Sequence, residues 1–297
     1  MPHSKKNIHP FSPDYNHDMM SKTYIGALMA SGAFLCTAAA ATESPPPTGV
    51  FNTSFDKRSE LSATDRLVER FGWPKDKSYP DYRLKDETFF VYVPQKYKGD
   101  EPYGLLVWIS PIDPGQVRGI WKPVLDKHKL IWVGANRAGN PREIWQRLGL
   151  AVDAAANMPL RYEIDTKRVY VSGLSGGGRC ASLLGVAYPD VFAGAMPIVG
   201  CNYFRSIPVP GRPGKFWRGT FRRPSGKLFQ HARRQSRFVL LTGETDANRA
   251  QTKATYEHGF KRDRFRHVQY IEVPGMGHAA PDAKWFEKGL MMMDGKE

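Results

Sequence analysis

From about residue 87 onward two hydrophobic patterns alternate along the chain. Short, nearly continuous apolar runs rich in Val, Ile, Leu and aromatic residues occur at 87–93, 104–110, 130–135, 168–172, 193–199, 237–242 and 268–273. Their length and β-branched content predict strands, and the lack of polar alternation predicts that most are covered on both faces. Between them, apolar residues recur at helical spacing over 120–128, 141–157, 176–188, 248–262 and 281–292. Strand regularly followed by helix is the pattern of an α/β protein with a mainly parallel sheet and right-handed crossovers. Ligands of such sheets sit beyond the carboxyl ends of the strands.

Upstream of residue 84 this rhythm is absent. Residues 51–83 are mixed and charged, with one short helical pattern near 61–71, and 42–50 (Thr-Glu-Ser-Pro-Pro-Pro-Thr-Gly-Val) reads as a linker. Ahead of it, Lys22 precedes an apolar run at 23–36 that is too short to span a membrane comfortably, followed by small residues up to Ala41. A positive start, an apolar middle and an A-x-A-like end predict a signal peptide cleaved after Ala39 or Ala41. An uncleaved anchor is the rival reading. Lipidation at Cys36 is disfavoured, because Ala33-Phe34-Leu35 lacks the small residues expected before a lipidated cysteine. The polar stretch 1–18 points to translation starting at Met19 or Met20. The organisation is therefore a signal region at 1–41, a linker and extension at 42–84, and a catalytic domain at 85–297. The expected location is secreted or periplasmic, with no stable membrane span after cleavage.

Composition adds a core and a charge. A chain of 297 residues with 41% hydrophobic content can bury the core of one large domain. The formal net charge is +14, and its placement matters more than its size. Residues 202–237 carry ten Lys and Arg and six interleaved aromatics with no Asp or Glu. A connection this long inside a domain is usually functional or disordered, so 202–236 reads as a basic insert placed like a lid. Arg222, Arg223 and Trp217 within it are candidate contacts to an anionic substrate group. Anchorage to a polyanionic surface and a merely solvated loop are the competing readings. Signal peptide and absent nucleic-acid motifs argue against nucleic acid as the partner. Cleavage at 39 or 41 would leave two cysteines, Cys180 and Cys201. In an oxidising compartment they are candidates for a disulfide, with two buried thiols as the alternative.

The chemistry centres on Val169-Tyr-Val-Ser-Gly-Leu-Ser-Gly-Gly-Gly178. A strand pattern meets Gly173-Leu174-Ser175-Gly176-Gly177 and a helical pattern follows, which is G-x-S-x-G in its confirming context. The turn exposes Ser175 at a strand tip, and the helix start aims N–H groups at the charge that develops on an attacked carbonyl. A serine nucleophile needs a base. The chain order Ser, acid, His leaves His231, His258, His267 and His278. His278 is preferred, because Pro274-Gly-Met-Gly-His278 forms a loop after the last strand that can carry an imidazole over the sheet edge. The orienting acid should follow the preceding strand, where Thr242-Gly-Glu-Thr-Asp246 offers two carboxylates. Asp246 is favoured, since Glu244 directly follows the glycine and is placed to pair locally. The backbone N–H of Gly176 is one expected oxyanion donor. The second should come from the loop at Ser110-Pro111-Ile112, and proline has no N–H, so Ile112 is the candidate.

From about residue 85 to 293 the chain resembles the α/β-hydrolase superfamily. Within it, the chain is most similar to secreted esterases of the polyhydroxybutyrate-depolymerase and feruloyl-esterase type. The stretches that carry the resemblance are Phe89-Phe-Val-Tyr-Val-Pro94, Gly173-Leu-Ser-Gly-Gly177, Tyr188-Pro-Asp-Val-Phe-Ala-Gly194, Thr242-Gly-Glu-Thr-Asp246 and Pro274-Gly-Met-Gly-His278. The resemblance implies Ser175 as nucleophile, His278 as base, Asp246 as orienting acid, and a covalent acyl-enzyme that water cleaves. The expected activity is hydrolysis of small or polymeric carboxylic esters, including anionic ones. A peptidase, an acyltransferase, or a catalytically inactive protein of the same fold that binds an anionic ligand or polymer are the alternatives. No metal-ligand cluster, phosphate loop or dinucleotide fingerprint is present in the sequence, so no cofactor and no metal are expected.

Overall fold

The apolar runs become the strands of one sheet in the computed structural model, which describes residues 46–296. The region read as a signal peptide, with Cys36 and the candidate starts Met19 and Met20, lies outside the described residues. The strands are β1 (Gly49–Thr53), β2 (Phe89–Val93), β3 (Tyr103–Ile109), β4 (Leu130–Ala135), β5 (Ile164–Leu174), β6 (Gly194–Ile198), β9 (Arg237–Gly243) and β10 (His267–Val273). Their order across the sheet is β1-β2-β4-β3-β5-β6-β9-β10. The β1–β2 and β2–β4 pairs are antiparallel. Every later pair is parallel.

Alternation along these strands splits the core in two. Val91, Leu105, Val107, Val133 and Val171 face one layer; Tyr92, Leu106, Trp108, Trp132 and Tyr170 face the other. The first layer is closed by α1 (Thr64–Phe71), α3 (Ile144–Asn157), α4 (Gly176–Ala187), α5 (Gly226–Arg234) and α6 (Arg249–Thr255) through Leu67, Leu148, Leu183, Ala232 and Ala254. The second is closed by α2 (Lys122–Lys127) and α7 (Ala283–Asp294) through Leu125, Phe286 and Leu290. Trp121, just before α2, stacks on Phe286 of α7 with ring centroids 4.1 Å apart. Each large side chain fully removed from water in these layers contributes about 1.5–3 kcal/mol. No helix among the described residues is long and apolar enough to cross a membrane.

Three features depart from the sequence reading. The described part of the extension, 46–84, belongs to the sheet domain: β1 pairs with β2 from Gly49↔Val93 to Thr53↔Phe89, so a boundary at residue 85 would cut through the sheet. The same segment forms α1, whose Leu67 and Phe71 are fully buried and whose end is closed by Gly72 at φ 65°. The insert at 202–236 is not one long loop. It holds a small antiparallel hairpin, β7 (Ile207–Pro208) with β8 (Phe216–Trp217), followed by α5. Three of its six aromatics, Tyr203, Phe221 and Phe229, turn inward, while Phe216 is exposed: Tyr203 packs on Phe260 at 4.9 Å, and Phe229 meets Phe204 and Phe265. Finally, the helix at 248–262 is α6 followed by a π-helical stretch, Tyr256–Lys261.

Candidate active site

The carboxyl ends of β5, β9 and β10 lie along one edge of the sheet, and each leads into one of the three residues singled out from the sequence. Ser175 stands between β5 and α4 at φ 55° and ψ −114°, a backbone conformation that costs a side-chain-bearing residue about 1–3 kcal/mol. The turn persists because its surroundings fix it. The Ser175 N–H donates to the Ile198 carbonyl at 2.8 Å. The glycines flanking the serine are sterically required: a Cβ on Gly173 would lie 2.5 Å from the Gly177 backbone, and one on Gly177 would overlap the Ile109 carbonyl.

Asp246 follows β9 with its side chain buried, while 43% of the His278 side chain is exposed on the loop after β10. Their geometry forms a relay. Asp246 Oδ1 lies 2.7 Å from His278 Nδ1, and His278 Nε2 lies 2.8 Å from Ser175 Oγ. The carboxylate is held by two further donors, the Thr242 hydroxyl at 2.6 Å from Oδ2 and the Asn248 N–H at 3.0 Å from Oδ1. The other carboxylate, Glu244, accepts from the Gly275 N–H at 2.8 Å and braces the histidine loop instead. With Nδ1–H donated to Asp246, Nε2 is left as the acceptor for the serine proton.

On the oxyanion side, Gly176 opens α4, where the first N–H groups of a helix have no intrahelical partner. The Ile112 N–H, expected as second donor, is directed at Ser110 Oγ at 3.3 Å instead. The serine beside Pro111 folds back on the loop and occupies that amide. A residue that the motifs did not single out stands nearby. Asn140 is anchored through its N–H to the Pro111 carbonyl at 2.8 Å, and its amide lies so close to Gly176 that a Cβ there would overlap it. The adjacent Gly139 N–H donates to Asp113 Oδ1 at 2.8 Å, tying the loops after β3 and β4 together. Buried Arg147 braces both from beneath, donating to the Ala138 carbonyl at 2.8 Å and the Ser110 carbonyl at 3.1 Å.

Arg222, Arg223 and Trp217 make no hydrogen bond or ring contact with Ser175, Asp246 or His278 among the described residues. Arg222 and Arg223 line a cavity of about 730 Å³ with Tyr188 and residues of α1. Tyr188 follows the last residue of α4, about 18 Å along that helix from Ser175. Arg222 donates there to the Phe71 and Glu69 carbonyls, and Arg223 lies over the Phe229 ring. Trp217 is half-buried in the hairpin, paired with Ile207. The insert packs on α1 and α4 because Tyr203, Phe221 and Phe229 are drawn into the core. Its contribution near the acid is Pro210, on the wall of a groove of about 620 Å³ that runs past Glu244, Asp246 and Lys253.

Cys180 and Cys201 are free, buried thiols. The anticipated bridge is absent because each side chain is housed separately. Cys180 sits inside the first core layer, and Cys201 Sγ points at the Asn202 carbonyl, 3.6 Å away. Burial pushes the Cys180 thiol up to about 11 and that of Cys201 to about 12.

Sheet order, a strained serine between strand and helix, and a histidine after the last strand define the α/β-hydrolase fold, and the chain adopts it. A thermostable esterase of known structure superposes with a TM-score of 0.50 at 14% identity, covering 71% of this chain and 58% of the esterase. By sequence, the chain is 51% identical over 47 residues to the poly(3-hydroxyalkanoate) depolymerase C of Paucimonas lemoignei, or 16% of this chain and 11% of that protein. It is 32% identical over 106 residues to the poly(3-hydroxybutyrate) depolymerase of Ralstonia pickettii, 31% of this chain and 20% of the relative. The matched stretches thus span at most a fifth of these relatives. No family model matches the chain.

Proposed function

We propose that the protein is a serine hydrolase of carboxylic esters, exported from the cell, and that Ser175, His278 and Asp246 are its catalytic residues. The observation that carries this reading is the relay of 2.7 Å and 2.8 Å ending on a serine held at φ 55°. His278 Nε2 takes the Ser175 proton as Oγ attacks the ester carbonyl carbon. The imidazolium formed is stabilised by Asp246, which keeps its charge and takes no proton. The tetrahedral oxyanion is met by the Gly176 N–H at the start of α4. Collapse expels the alcohol, protonated by His278, and leaves an acyl group on Oγ. Water, deprotonated by the same imidazole, then releases the acid. No metal or cofactor is needed for these steps.

Two observations support a polymeric or bulky ester. The base is 43% exposed, so the reacting carbonyl can be presented from outside rather than through a closed pocket. Both sequence relatives are named as polyester depolymerases. Export is supported by the apolar run at 23–36 with its small-residue boundary. The test is hydrolysis of a short p-nitrophenyl ester and of a suspended poly(3-hydroxybutyrate) film. Ser175→Ala should abolish both while leaving the circular-dichroism spectrum unchanged. Turnover that survives in this variant rejects the assignment.

A further inference from the structure

The amino ends of β9 and β10 mark the opposite pole of the sheet from Ser175. Arg237 and His267 open the two strands in register. Seven residues of each strand, a rise of about 20 Å, separate them from Gly243 and Val273 at the ends that lead to Asp246 and His278. At this pole a cavity of about 250 Å³ is lined by four arginines and nothing else: Arg233, Arg234, Arg264 and Arg266. None of the four forms an ion pair among the described residues. Arg233 meets only the neutral Gln230, at 2.9 Å. A neighbouring cavity of about 330 Å³ shares Arg233 and Arg264 and adds Arg205, Arg223 and Arg262. Its one acid, Asp263, is already bound by Arg205 at 3.0 Å and the Tyr203 hydroxyl at 2.7 Å.

The cluster is built rather than incidental. The Arg266 N–H donates to the Arg233 carbonyl at 2.9 Å, which locks the end of α5 to the turn before β10 and brings the two arginine pairs together. Arg233 and Arg234 also lie in the last turn of α5, where cations offset the partial charge of the helix end. That accounts for two of the four; Arg264 and Arg266 gain nothing from it. Like charges so gathered repel one another unless an anion enters between them. Beside the cluster, burial first and then the charges of Arg237 and Arg266 lower the pKa of His267.

We infer that this arginine-lined groove is a binding site for an acidic polysaccharide, separate from the catalytic edge. Guanidinium groups grip sulfate or carboxylate oxygens through paired N–H donors. Two adjoining cavities with shared arginines suit repeated anionic groups along a chain. Of the two rings lining the second cavity, Phe229 is 8% exposed and covered by Arg223, with the guanidinium 5.0 Å from the ring centre, and Phe204 is half-buried and edge-on to Phe229. Neither ring stands fully exposed for base stacking or for insertion into a lipid layer. Bound this way, the protein would face its substrate with the far pole tethered.

The test measures binding of a heparin dodecasaccharide to the full chain by calorimetry at physiological ionic strength, alongside oligothymidylate and phosphatidylglycerol vesicles. Arg234→Gln/Arg266→Gln should weaken the oligosaccharide about tenfold or more. Lys75→Gln/Lys77→Gln, an equal charge change on exposed lysines outside both cavities, should leave it within about twofold. Ester hydrolysis should be unchanged in both variants, so failure here does not touch the proposed catalytic assignment. The inference is overturned if the oligosaccharide does not bind, or if the two variants weaken it equally. Arginine-dependent binding of DNA or vesicles that exceeds binding of the oligosaccharide overturns it too.

Discussion

The side-chain amide of Asn140 lies against Gly176, close enough that a methyl group on that glycine would overlap it. The atom in contact is the amide oxygen, with the NH2 group farther off, so Asn140 packs against the helix start as a neutral wall while the Ile112 amide is turned to Ser110. Asn140→Ala should therefore lower kcat for a p-nitrophenyl ester several-fold by loosening the loop against the helix start, short of the loss of about 100-fold that removing an oxyanion donor costs. Steady-state kinetics checks this, and a change confined to KM would assign Asn140 to substrate binding instead.

Thr242 holds Asp246 through a buried hydrogen bond of 2.6 Å. Thr242→Val keeps the shape and removes the donor, leaving Oδ2 without its hydroxyl partner. A stability loss of about 1–3 kcal/mol is expected, with a several-fold fall in kcat as the acid becomes free to turn. Thr242→Ser should restore both. Urea denaturation and kcat measured on the same preparations decide the matter.

Arg147 is 5% exposed and joins the loops after β3 and β4 through the Ser110 and Ala138 carbonyls. Lysine carries the same charge but cannot span both acceptors as a fork. Arg147→Lys should cost about 1–3 kcal/mol and lower kcat, because Asn140 hangs from the same loop pair. An unchanged kcat would confine Arg147 to stability.

His128 carries the pH dependence that ties α2 to α7. Its side chain is 7% exposed, with Asp294 at 3.9 Å from Nδ1 and Glu287 at 3.0 Å from Nε2. The Asp294 carboxylate, opposed by burial and reinforced by Glu287, raises its pKa above the ordinary 6.5. The folded state then binds a proton more tightly than the unfolded chain. The resulting stabilisation is complete below about pH 6.5 and is lost as pH rises through the folded value. Urea midpoints should fall over that window in the wild type and lie flatter in His128→Gln. Equal slopes would remove His128 from the account.

The alternation of apolar runs and helical spacing was legible because strands buried on both faces leave an unbroken hydrophobic trace. The serine motif, the strand-end acid and the loop histidine were legible for a related reason: chain order and strand ends restrict where such groups can sit. What escaped was set by packing across long distances. Gly49–Thr53 carries no strong strand signal, yet it gains a full ladder on β2. The basic insert read as a lid because its charges are conspicuous; its course was decided by Tyr203, Phe221 and Phe229, which enter the core. Asn140 sits in a loop and is placed by the Pro111 carbonyl, a contact no local pattern announces.

The central claim is that Ser175 is activated by His278. A fluorophosphonate probe tests it directly, with the adduct mapped by peptide mass spectrometry. The account predicts one adduct, on Ser175, formed rapidly in the wild type and slowed by several orders of magnitude in His278→Ala, since residues acting as a unit fail together. An adduct on another residue, or equal labelling rates with and without the imidazole, would contradict it.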